Sequence, residues 1–154
     1  MEQNVEVKKY IVQFGVVYTI GLIALYVIFM IINLDSNSGS GASIALLFAS
    51  AIYSVGKFIQ DNKRVPNKNE KSKLVWITLL TAIIVSAALV VIVGVIFGGV
   101  VGLSEMFHAL STLPLSIMVG IIFFVTLLHF VILSYGYGGF ASKQFDALKK
   151  KGKI

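Results

Sequence analysis

The sequence predicts an all-α polytopic membrane protein, a bundle of four transmembrane helices with both ends in the cytoplasm. Three observations predict it. First, the 154 residues are 57% hydrophobic and only 13% charged, with a mean hydropathy of +0.91, where a soluble domain carries about 25% charged residues. Second, four apolar runs have about the length that crosses a hydrocarbon core of roughly 30 Å. Third, the thirteen Lys and Arg residues fall into three segments. Two lie in the head, six between Lys57 and Lys73, and five in the tail. The positive-inside rule assigns all three segments to the cytoplasm.

Met1 to Lys9 is a short polar head ending in Lys8 and Lys9. The run 10–33 that follows is longer than the h-region of about 7–15 residues in a signal peptide, and no A-x-A site follows it. It is therefore expected to be an uncleaved first span. Leu34 to Gly41, LDSNSGSG, collects turn-forming residues and holds one charge, Asp35. The second span, 42–60, is the most polar of the four. Ala42, Ala45, Ala49 and Gly56 recur along it at helical spacing, which suits a helix packed closely against several neighbours. Without this crossing, Lys8 and Lys9 would stand on the opposite side of the membrane from the basic loop that comes next.

That loop, residues 61–73, reads DNKRVPNKNEKSK. Asn67 followed by Glu70 three residues later is the spacing of a capping box, so a helix should start just after Asn67. Trp76 then falls at headgroup depth, and the third span occupies 74–101. Gly94, Gly98 and Gly102 make two consecutive G-x-x-x-G steps near its outer end. Such a ridge admits another helix backbone at close range, from the same subunit or from a second copy. The outer connection 103–113 carries Glu105 and His108, with Phe107 and Leu110 making it amphipathic. It should lie in the interface as a short helix. Pro114 suits the first position of the fourth span, 114–137, because its missing donor costs nothing there. The glycines of YGYGGF should end that span, leaving an amphipathic and then basic cytoplasmic tail, 142–154.

The run GSGASIALLFASAIYSVGKFIQDNKRVPNKNEKSKLVW resembles the core of a family of small uncharacterised four-helix inner-membrane proteins of Gram-negative bacteria. The shared features are the Gly/Ser-rich start Gly39–Ser43, the exit Gly56-Lys57-Phe58, the turn Asp61–Pro66, and the segment Glu70–Trp76. The resemblance covers about a quarter of the chain. It implies a four-helix fold and an inner-membrane location, and it brings no catalytic residues.

Composition narrows function as well. The net charge of +6 flanks apolar spans and forms no basic stripe, so the expected partners are anionic lipid headgroups and not nucleic acid. With no Cys in the chain, thiolate ligation and disulfides are excluded. No metal or cofactor motif is present: Glu105 and His108, at i and i+3, are two ligands only. Lys57 lies within a turn of the basic loop and can snorkel to the interface, so the one ionisable group well inside a span, apart from the tyrosines, is His129. Intramembrane ionisable residues are functional candidates, and an ordinary hydrogen bond to a neighbouring helix is the alternative. Thr126, one turn away, could accompany it. Tyr18, Tyr26 and Tyr53 could line a polar pathway with Ser50 and Ser54, and ordinary packing between helices is the favoured alternative. The expected function is thus a non-enzymatic membrane protein in a structural, accessory or stress-related role. It would be a homo-oligomer or bind a membrane-protein partner. A small transporter or channel is the alternative. The first span has Gln13 but no acid, which counts against proton-coupled export of cations.

Overall fold

The computed structural model of the chain describes residues 6–32 and 39–152. Among them, five α-helices and one π-helical turn follow one another: α1 Lys8–Ile32, α2 Gly39–Asn62, α3 Lys68–Ser111, α4 Leu115–Tyr135, the π turn Gly136–Phe140, and α5 Ala141–Lys150. Four helices, with α4 continuing into α5, are long and apolar enough to cross a membrane. The first outer connection with Asp35, the first five residues of the head, and Lys153 lie outside the described residues.

The most polar span is the hub. In α2, 44% of the most apolar stretch is buried, against 11% or less in the other three spanning helices. The reason is physical. Between apolar helices in lipid there is no hydrophobic drive, so association depends on close packing and interhelical hydrogen bonds. Alanine, serine and glycine on α2 supply both. Leu47, Ser50, Ala51, Ser54, Val55, Phe58 and Ile59 are buried along it, at the three- and four-residue steps that keep side chains on one broad face. On α1 the inward stripe is Tyr10, Phe14, Tyr18 and Leu22, one residue per turn. On α3 it runs from Glu70 to Ala82, and on α4 it is Leu133 alone. Gly136, Tyr137 and Ala141 carry it on. Among the described residues, every buried one thus lies toward the end that carries the basic segments, none beyond Leu22 on α1 or Ala82 on α3.

Those segments meet at that end. The Lys9 ammonium donates to Asp61 Oδ2 at 2.8 Å, and the Asn62 amide donates to the Tyr10 hydroxyl at 2.9 Å. The Gln144 amide of α5 lies where a side chain on Gly56 would stand. Head, loop and tail therefore share one face of the molecule.

Two features differ from the sequence-based expectation. The glycines of 136–139 do not end the fourth helix. None has a positive φ, so none forms a left-handed cap; the chain passes through the π turn into α5. The second difference is in α3. At an α-helical rise of 1.5 Å its 44 residues would span about 66 Å, twice a hydrocarbon core. Gly99, at φ 62° and ψ −166°, interrupts it in a conformation that residues with a Cβ avoid. Past this break the chain turns so that Leu103 comes back toward Gly94.

Candidate functional site

The basic end is held by its own charges. Asn67 Oδ1 accepts from the Glu70 amide at 2.9 Å, and Glu70 Oε2 accepts from the Asn67 amide at 2.9 Å, so the capping box is complete. Glu70 is buried at 2% exposure. Its two carboxylate oxygens receive Arg64 Nη1 and Nη2, each at 2.7 Å, in the paired geometry that makes Arg–carboxylate contacts strong. The guanidinium also lies 5.4 Å from the centre of the Phe58 ring. One carboxylate thus fixes the loop to the start of α3, and Arg64 ties the loop to α2.

Deeper in the bundle, Ser54 donates to the Tyr10 carbonyl at 2.8 Å, joining α2 to α1. Ser50 donates to the Leu46 carbonyl of its own helix at 2.8 Å. The Tyr137 hydroxyl lies beside the Ser54 and Thr78 hydroxyls but outside hydrogen-bonding geometry. Around this polar thread stand Phe14, Leu47, Phe58 and Leu74, all fully buried. Phe14 and Tyr18 stack with ring centres 5.6 Å apart.

Above this closed half the helices part. A cleft of about 500 Å³ lies there, lined by α1, α2, α3 and α4. Its polar wall is Tyr18, Tyr26, Ser43, Ser86, Thr126 and His129, and the remaining lining residues are aliphatic. At its floor the Tyr18 hydroxyl and Ser86 Oγ are 3.0 Å apart, bonding α1 to α3. His129 Nδ1 is 2.8 Å from the Val125 carbonyl oxygen. A carbonyl can only accept, so Nδ1 carries the proton. In the neutral tautomer that this bond selects, Nε2 is an acceptor. The His129 bond is therefore made to its own helix, where the sequence suggested a bond to a neighbouring one.

The predicted polar residues separate into two places. His129 and Thr126 line the cleft. Ser50 and Ser54 are sealed in the core below it. Tyr53 faces outward at 45% exposure, with the Lys57 ammonium 5.8 Å from its ring centre. These five do not line a single pathway. Gly94, Gly98 and Gly102 approach no other described helix within 4 Å of a Cβ position. Among the described residues, a side chain at Gly94 or Gly98 would meet only Leu103, and one at Gly102 nothing within 4 Å. Gly99 breaks the helix between them, so Gly98 and Gly102 do not share a straight face. Close approaches within the bundle fall instead at isolated glycines. At Gly136 a Cβ would stand 3.3 Å from that of Ala51.

Ser86 was not singled out by the sequence, because one serine in an apolar helix carries no motif. The only signal available was its eight-residue distance from Thr78, which puts both on the same face of α3. Glu105 and His108 are exposed on the far segment of α3. Comparison with known protein families, with characterised proteins and with solved structures gave no match to this chain.

Proposed function

We propose that this chain is a non-enzymatic integral protein of the bacterial inner membrane with an accessory, structural or stress-related role. The closure of the basic half supports this reading. A conducting route would have to pass Phe14, Phe58, Leu47 and Leu74, all fully buried and closed around Ser50, Ser54 and Thr78. The carboxylate nearest the core, Glu70, is engaged by Arg64 and by the helix cap. The second reading, a small transporter, rests on the cleft beside His129. Tyr18 and Ser86, bonded to each other in its wall, adjoin the fully buried Phe14 stacked on Tyr18. Proteoliposomes holding the full chain and a pH-sensitive dye separate the two readings. No proton flux above that of empty liposomes is expected. A robust flux that His129→Gln abolishes would establish the transporter.

The gathering of head, loop and tail at one end supports an orientation with both termini in the cytoplasm, facing anionic headgroups. Reporter fusions at Asn67 and at the C-terminus should read as cytoplasmic and one at Glu105 as periplasmic. A periplasmic C-terminus would refute this topology. The family resemblance of Gly39 to Trp76 agrees with the proposed location.

A further inference from the structure

We propose that the cleft between α1, α3 and α4 binds a neutral, lipophilic molecule bearing a hydroxyl group, which donates its hydrogen bond to His129 Nε2. The inference rests on the accessory reading and gives it a ligand. Four observations carry it. The volume of about 500 Å³ lies in the range of about 300–1,000 Å³ that small-molecule sites occupy. Among the described residues the lining contains no Asp, Glu, Lys or Arg, so it offers a charged guest no counter-ion. It offers mainly aliphatic surface, including Leu22, Ile83 and Ile122, which suits an alkyl or isoprenoid body. The bond from Nδ1 to the Val125 carbonyl fixes the tautomer, leaving an acceptor and no donor on the ring edge. The complement of that edge is a donor, and a hydroxyl is the neutral donor that a lipophile most simply carries. The closed half lies toward the basic end and the cleft's wall includes the exposed Ile121 and Ile122, so a lipophilic guest can enter from the lipid.

The test uses the full chain in nanodiscs, with farnesol and farnesyl methyl ether as probes and empty nanodiscs as the correction for partitioning. The two share a chain and differ in the donor. Wild type should bind the alcohol about tenfold more tightly than the ether, the value of one hydrogen bond near 1.4 kcal/mol. His129→Phe keeps a ring of similar size and should erase that preference while retaining the ether's affinity. Ile122→Trp, at a position 61% exposed in the structure, should obstruct the cleft and weaken both probes at least tenfold. Equal affinity of wild type for the two probes overturns the proposal, as does an alcohol preference that survives His129→Phe, or no saturable binding of either. The comparison of probes on wild type holds even if a variant fails to fold. Failure here leaves the accessory reading standing, because that reading falls only to the proton flux described above.

Discussion

The two halves of this bundle are built from similarly apolar helices and are held in opposite ways. In the basic half an inward side chain meets another helix. Phe14, Leu47, Phe58 and Leu74 are fully buried there, together with Ser50, Ser54 and Thr78. In the far half no described residue of α3 beyond Ala82 is buried, and α4 buries none before Leu133. Ile31, Phe97, Val100 and Leu115 are more than three-fifths exposed. The difference teaches where specificity comes from when both the environment and the side chains are apolar. Lipid competes equally well for a leucine, so hydropathy alone draws no two helices together. The helices meet where small residues permit contact and where polar groups demand partners, and α2 and the loop supply both at one end only.

The comparison can be broken or sharpened by substitution. The largest effect is expected at Glu70. Glu70→Ala removes the cap and leaves Arg64 without its carboxylate, and losing one member of a buried pair costs about 3–5 kcal/mol. Since Arg64 is about a third exposed, a loss near the lower figure should appear in the unfolding free energy in detergent. Glu105→Ala, in the far half, should change it by less than about 0.5 kcal/mol. Comparable losses at the two glutamates would end the distinction between the halves.

A smaller effect is expected from filling a helix contact. Gly136→Leu forces a side chain against Ala51 and should cost about 1–3 kcal/mol, the usual range for overpacking. The smallest belongs to Gly98→Leu. Its side chain meets only Leu103 of its own segment, so the stability of the single subunit should fall by less than about 0.5 kcal/mol. Equal losses at Gly136 and Gly98 would mean that the far half is packed as tightly as the near one. A change in particle size with unchanged subunit stability at Gly98→Leu would place the ridge between copies of the chain.

What could be read from the sequence follows the range of the interactions involved. The capping box of Asn67 and Glu70 was legible because it is complete within four residues. The clustering of head, loop and tail was legible because charge placement answers to the membrane and not to packing. Long apolar runs identified the helices for the same reason. The cleft was not legible. Ile121 and Ile122 have the same hydropathy whether they face lipid or a cavity, and only the splay of four helices distinguishes these. His129 was legible as the ionisable group within the spans, but its partner, the Val125 carbonyl, is a backbone atom that no side-chain pattern announces. The glycine ridge shows the converse. Gly94, Gly98 and Gly102 match a packing motif, yet the motif says nothing of what stands opposite, and Gly99 interrupts its register.

The π turn at Gly136–Phe140 sets a phase. A π turn holds more residues per turn than the α-helix it interrupts, and each residue of an α-helix accounts for about 100° of rotation. The turn therefore decides which side of α5 looks at α2. As built, Phe145 and Leu148 pack against the core, while Lys143, Lys149 and Lys150 point to solvent. Because the wider turn absorbs one extra residue, restoring plain α-helical winding over the same five residues would turn α5 by about 100°, swinging its apolar stripe off the bundle. The winding of this segment is thus under tighter constraint than its length: losing one glycine while returning to α-helix would keep the tail's orientation, whereas unwinding the π turn at fixed length would reorient the whole tail.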